Sequence, residues 1–180
     1  MKRIKLWDKE FEISLTHTQI QSAIREMAEK IKRDLKGKEA LFICILNGAF
    51  MFASELMQEV GLTDAEISFL KLSSYSGTGS SGEINELIGL NEEIAGRTVV
   101  ILEDIVDTGY TIKKVSDQLI IKGAREIKIA TLLFKPGSLK AAIKIDYAGI
   151  EIPNDFIVGF GLDYERRGRN LKDIYTLVKE

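Results

Sequence analysis

One cysteine, one histidine and two prolines in 180 residues exclude a good deal of chemistry. Cys44 alone cannot close an internal disulfide or build a cysteine-based zinc centre. His17 alone leaves no histidine metal cage and no histidine-centred triad. No apolar run approaches the roughly 18 residues of a membrane-spanning helix. Charge of one sign is also missing. Twenty-five basic residues against 27 acidic ones give a net charge of −2, so no overall field draws the chain to nucleic acid. Met1–Asp8 has basic residues but no apolar stretch behind them, and no signal peptide is expected. What is present is the mixture of a soluble globular protein, 45% hydrophobic and 29% charged. The expectation is one domain over residues 1–180, in the cytoplasm, with neither nucleic acid nor membrane as partner.

The apolar pattern alternates between two periods. Ile20, Ile24, Met27, Ile31 and Leu35 recur every three or four residues and predict an amphipathic helix over 17–36, capped by Thr16 or Thr18 and ended by Gly37. Ala40–Leu46 is an unbroken apolar run, suited to a strand buried on both faces. Asn47-Gly48 interrupts it, and Ala49–Val60 reads as a helix stopped by Gly61. Further strands are expected at Glu66–Leu72, Leu87–Leu90, Thr98–Leu102, Ile127–Phe134, Phe156–Phe160 and Ile174–Val178. A helix opens at Gly109, with Ile112, Val115 and Leu119 on one face and Gly123 at its end. Residues 73–85 form the only long loop-like stretch. Buried strands alternating with amphipathic helices predict an α/β fold with a mainly parallel sheet.

Ligands of open parallel sheets bind beyond the carboxyl ends of the strands. One such end here is Glu103-Asp104-Ile105-Val106-Asp107-Thr108-Gly109-Tyr110-Thr111. Its second half suits an anion, because the amides that open a helix are unpaired and carry partial positive charge. Its first half places two adjacent carboxylates, which suit sugar hydroxyls or a bridging divalent cation. A phosphorylated sugar satisfies both halves. Asp107-Thr108-Gly109 by itself also reads as an ordinary turn and helix cap; the paired acids after a buried strand do not.

The nine residues resemble the phosphoribosyl-pyrophosphate (PRPP) motif of the type I phosphoribosyltransferases. Leu46-Asn47-Gly48, Ser74-Tyr75, Lys144 through Pro153, Phe156-Ile157-Val158-Gly159 and Leu162-Asp163-Tyr164 are similar, in order, to segments of the hypoxanthine-guanine members. The resemblance spans about residues 10 to 178. It implies the type I phosphoribosyltransferase fold, a mainly parallel sheet flanked by helices with a small hood from the amino- and carboxyl-terminal segments. It implies transfer of phosphoribosyl from PRPP to hypoxanthine or guanine, with Mg2+, by a homodimer or homotetramer.

The same resemblance implies the roles of individual residues. Glu103 and Asp104 would hold the ribose hydroxyls, partly through magnesium, and the loop from Ile105 and Val106 through Asp107, Thr108, Gly109, Tyr110 and Thr111 would cradle the 5′-phosphate. Asp107 would be the general base toward N7 of the purine, since a carboxylate beside a phosphate takes a proton more readily. Lys144 would donate to the 6-oxo group; an ammonium has donors only and mismatches the amino group of adenine. Phe156 would stack on the purine, with Asp155, Ile157 and Asp163 around its edge. Asp163 would also help hold magnesium. Asn47, Gly48 and Arg169 would meet pyrophosphate, with a non-proline cis peptide near Gly48. Ser74 and Tyr75 would belong to a lid that keeps water from an oxocarbenium-like transition state.

Asn47 stands where many members carry lysine, and Tyr110 where many carry a basic residue. Arg166 and Arg167 read as a solvated basic run, Cys44 as a small buried hydrophobe, Trp7 as packing, and His17 as a surface or capping residue. Two other readings stay open at this level. The base could be xanthine or adenine, or the chain could be a regulator that binds nucleotide or RNA without turnover.

Overall fold

The structure, a computed structural model, describes residues 2–74 and 84–179. In chain order the elements are β1 (Arg3–Leu6), β2 (Lys9–Leu15), α1 (His17–Leu35), β3 (Ala40–Leu46), α2 (Phe50–Val60), β4 (Glu66–Ser74), β5 (Ile84–Ile88) and β6 (Thr98–Val106). Then follow α3 (Tyr110–Ile121), β7 (Glu126–Phe134), a 3-10 turn at Pro136–Ser138, β8 (Tyr147–Glu151), β9 (Ile157–Val158) and β10 (Ile174–Leu177). The main sheet runs β5-β4-β3-β6-β7-β8. All its pairs are parallel except β4 with β5. This is the expected helix-flanked, mainly parallel sheet.

The apolar runs account for the layering. Phe42, Cys44, Val100 and Leu102 face α1 and α2 on one side of the sheet. Leu41, Ile43, Val99 and Ile101 face α3 on the other. A strand buried on both faces must be apolar at every position, which is why Ala40–Leu46 shows no alternation. Thr16 and Gln19 form a reciprocal capping box at the start of α1, with the Thr16 amide donating to Gln19 Oε1 at 2.9 Å.

A second sheet, β1-β2-β10-β9, is antiparallel and joins both ends of the chain. It is the expected hood. Phe11, Val158 and Tyr175 form its own small core. Sequence patterning missed β1, β2 and β8. Their burial alternates or is partial, so their charged and apolar residues interleave within a few positions. The strand expected at Leu87–Leu90 lies earlier, at Ile84–Ile88, where it pairs back on β4. Phe156–Phe160 shortens to Ile157–Val158, because Gly159, Phe160 and Gly161 all turn to positive φ. Among the described residues no helix is long and apolar enough to cross a membrane.

Parallel pairing puts the ends of β3, β6 and β7 on one edge of the sheet. Asn47, Asp107 and Lys135 are the first residues past those ends.

Phe52 is fully buried between α2 and the sheet, and Ile121 is 84% exposed. Phe52→Ala is expected to cost about 3–5 kcal/mol, from lost burial plus the cavity left behind. Ile121→Ala should stay within about 0.5 kcal/mol of the parent. Urea midpoints of the two variants check this; equal losses would mean that the core is misassigned.

Candidate active site

The turn after β3 is packed closely against the Asp104 side chain of β6. The Leu46–Asn47 peptide is cis, as the resemblance implied. Gly48 follows, and a Cβ built on it would overlap the carboxylate of Asp104. The hood arrives from the other side. A Cβ on Gly161 would overlap the carbonyl oxygen of Gly48. Three segments far apart in sequence thus meet where only glycine fits.

Asp104 is 6% exposed, and its Oδ1 accepts from the Ile105 amide at 2.8 Å. Glu103 Oε2 is buried without a partner among the described residues. Burial, then the charge on Asp104, pushes the Glu103 carboxyl well above the ordinary range. Burial also raises Asp104, against the pull of its hydrogen bonds and of the Arg169 guanidinium. Behind them, burial and then the two acids push the Cys44 thiol up to about 12, so Cys44 is an inert thiol in the core.

Beyond β6 a concavity of about 140 Å³ is lined by Glu103, Ile105, Val106, Asp107, Thr108, Gly109, Thr111 and Ile112. The Thr108 carbonyl is taken by the amides of Lys140 and Ala141, at 3.1 and 3.0 Å. With that acceptor occupied, the groups left to a ligand are the loop amides at the start of α3 and the threonine hydroxyls. Tyr110 is exposed at the rim.

Lys135 was not anticipated from the sequence. It is 8% exposed, and its ammonium reaches Asp107 Oδ2 at 3.4 Å. Its amide bonds the Val106 carbonyl at 3.0 Å, which sets it beside the loop between β6 and α3. The available signal was a lysine directly after an apolar strand, Leu132-Leu133-Phe134-Lys135, at a ligand-binding edge.

Lys144, the residue expected to read the base, is not brought to this edge. Its side chain is 84% exposed and pairs with Asp146 at 3.1 Å. The cause is topological. Residues 136–146 carry the chain back along the sheet so that β8 can run parallel to β7, and Lys144 lies at the far end of that crossover. There it borders a groove with Lys113, Ser116 and Asp117 of α3. The carboxylate of Asp155, also expected near the base, pairs with Lys179 at 2.8 Å instead.

The other hood residues fall into two local groups. Arg169 donates to the Gly161 carbonyl at 2.7 Å and pairs with Asp163 at 2.5 Å. The second Asp163 oxygen accepts from the Arg166 amide at 2.7 Å. Phe156 is 47% exposed. It packs edge-on against Tyr164 at 5.8 Å, and Trp7 lies 6.2 Å beyond Tyr164. Ile157 is buried and pairs with β10. Ser74 closes β4, whereas Tyr75 lies outside the described residues. Among those residues no group of three or more metal-ligating side chains stands together.

Residues 14–165 match the model of the phosphoribosyl transferase domain. A hypoxanthine-guanine phosphoribosyltransferase of Mycobacterium tuberculosis is 40% identical over 172 residues, covering 92% of this chain and 85% of that protein. The bifunctional protein TilS/HprT of Listeria innocua is 38% identical over 93% of this chain, which spans only 26% of its length. The solved structure of a hypoxanthine phosphoribosyltransferase from Staphylococcus aureus superposes with a TM-score of 0.87 at 38% identity, over 93% of this chain and 91% of that one.

The raised Glu103 carboxyl has a consequence for stability. The folded chain keeps a proton there that the unfolded chain releases near the ordinary value of 4.5. Stability therefore falls as pH climbs from that value through the higher folded one. With no divalent cation present, Glu103→Gln should unfold at higher urea than the parent at neutral pH, and the two should converge at the acid end of that window. A parent as stable as the variant at neutral pH would show that Glu103 carries no burial penalty.

Proposed function

The chain belongs to the phosphoribosyltransferase family, and from that membership we propose that it is a hypoxanthine-guanine phosphoribosyltransferase of purine salvage. It forms the bond from N9 of a 6-oxopurine to C1′ of PRPP while the bond from C1′ to pyrophosphate breaks. The products are inosine or guanosine monophosphate and pyrophosphate. The observation that carries this reading is the Asp107–Lys135 pair at the mouth of the phosphate loop. A 6-oxopurine presents N7 and its carbonyl side by side. A carboxylate that takes a proton and an ammonium that only donates match that edge. The amino group of adenine would face the ammonium donor to donor. Lys135 therefore replaces Lys144 as the base-reading cation.

The remaining roles in this reading are those the family resemblance implies. Glu103 and Asp104 receive the ribose hydroxyls, and the unpartnered Glu103 Oε2 is the acceptor they would satisfy. The loop amides and hydroxyls from Asp107 to Thr111 take the 5′-phosphate. Asn47, Gly48 and Arg169 meet the pyrophosphate. Phe156 offers its exposed ring to the purine face, with backbone groups near Ile157 at its edge, and Asp107 receives the purine proton.

The residues fit magnesium as a partner. Mg2+ binds through one or two carboxylates plus substrate oxygens and water rather than in a protein cage. Glu103, Asp104 and Asp163 offer such scattered carboxylates. When bound, the ion would neutralise charge on the departing pyrophosphate. The setting of this reaction is the cytoplasm, in a homodimer or homotetramer.

The test is turnover of purified protein with magnesium, PRPP and each of hypoxanthine, guanine, xanthine and adenine, followed by absorbance. Hypoxanthine and guanine should react and adenine should not. Asp107→Asn should lower kcat by roughly 10²–10⁴-fold. Lys135→Ala should lower kcat/KM for hypoxanthine by on the order of 10²-fold, the loss of a buried charged hydrogen bond, while Lys144→Ala leaves it unchanged. The opposite ranking of the two lysines would overturn this assignment of the base site.

A further inference from the structure

His17, the only histidine, lies outside the machinery above but touches three of the segments that hold it. We infer that His17 is a positioning residue for the pyrophosphate side of the reaction, an inference that rests on the proposed transferase function.

Each group on His17 has a different partner. Its amide, the first of α1, donates to Asp173 Oδ1 at 2.9 Å. Its ring Nε2 lies 2.9 Å from Glu55 Oε1 on α2. Its ring packs 5.9 Å from that of Phe160 in the hood. The charged groups facing it are therefore Glu55 from α2 and Asp173 from the loop before β10. The other Asp173 oxygen is held by Lys2 at 3.3 Å. His17 and Glu55 are each 28% exposed, so the contact is partly shielded from water. The contact forms with the protonated ring or with the neutral tautomer that carries its proton on Nε2, and in both Nε2 donates to the Glu55 carboxylate.

Phe160 transmits the constraint. It is fully buried at φ 47°, between Gly159 and Gly161. Its amide bonds the Leu171 carbonyl at 2.8 Å, and the Gly161 amide bonds the Arg169 carbonyl at 2.9 Å. The Arg169 guanidinium returns to the Gly161 carbonyl. The turn and Arg169 are one unit. Glu55 approaches the same place from the other side, because α2 begins two residues after Gly48. His17 thus pins the hood turn to the helix that leaves the Gly48 turn. Those two turns are the ones in backbone contact at the pyrophosphate end. The Thr16–Gln19 capping box already closes α1, so starting the helix does not require an imidazole at position 17.

Steady-state kinetics with PRPP and hypoxanthine, and with inosine monophosphate and pyrophosphate in reverse, test this. His17→Ala should raise KM for PRPP and for pyrophosphate by on the order of tenfold, with KM for hypoxanthine held within about twofold, as for other residues that orient binding groups indirectly. Glu55→Ala reaches the same contact without touching α1 and should give the same split. The double variant should be little worse than either single one. His17→Gln keeps a donor of similar reach and should recover much of the loss. A lowered Tm with both KM values unchanged, or both raised equally, overturns the inference while parent turnover leaves the transferase reading standing. A parent that binds no pyrophosphate with magnesium present overturns both.

Discussion

Gly48 has no room for a side chain, and the site depends on that. On one side is the carboxylate of Asp104 at the end of β6, and on the other the backbone of Gly161 in the hood. The second of these contacts, backbone on backbone, has no soft part. A flexible side chain can yield by rotating, but a carbonyl against an α-carbon cannot. Three parts of the candidate site are therefore referenced to one point: the sheet edge through Asp104, the turn after β3 directly, and Arg169 through the Gly161 carbonyl. A hood built from the two ends of the chain can serve a precise reaction only if it is held against the sheet in this way.

Charge is arranged around the same point at some cost. Two adjacent acids at the end of a buried strand repel one another and lose hydration. Arg169, whose charge acts on Asp104, belongs to the hood and is already shared with Asp163 and Gly161. Lys135, the buried cation of the site, serves Asp107. Each acid of the site is thus only partly compensated within the protein. What remains unsatisfied, above all Glu103 Oε2, is what a polyhydroxylated, phosphorylated ligand and its counterion would complete. Such a site gives up folding stability in exchange for an electrostatic field prepared in advance.

The elements that could be read directly were those whose burial is uniform. β3, β6 and β7 are apolar almost throughout, and α1 shows a clean stripe, so pattern and fold agree. In the hood, β1 and β2 carry charges on an open face and gave no such signal, whereas the apolar β9 and β10 did. The phosphate loop was legible because its chemistry is contiguous in the chain. The buried Lys135 was not, because its partner Asp107 lies 28 positions away in sequence. Only parallel pairing of β6 with β7 makes them neighbours. Lys144 lies inside a segment that resembles the family yet falls at the far end of a crossover. Resemblance along a segment orders residues but does not say at which end of a strand they sit.

The hood also carries the molecule's one tryptophan. Trp7 stacks toward Tyr164, and Tyr164 meets Phe156 edge-on. An indole two rings away from Phe156 senses its surroundings through emission, and no other indole in the sequence competes with it. A change at the Phe156–Tyr164 contact would thus be read in the fluorescence of a single chromophore, free of label.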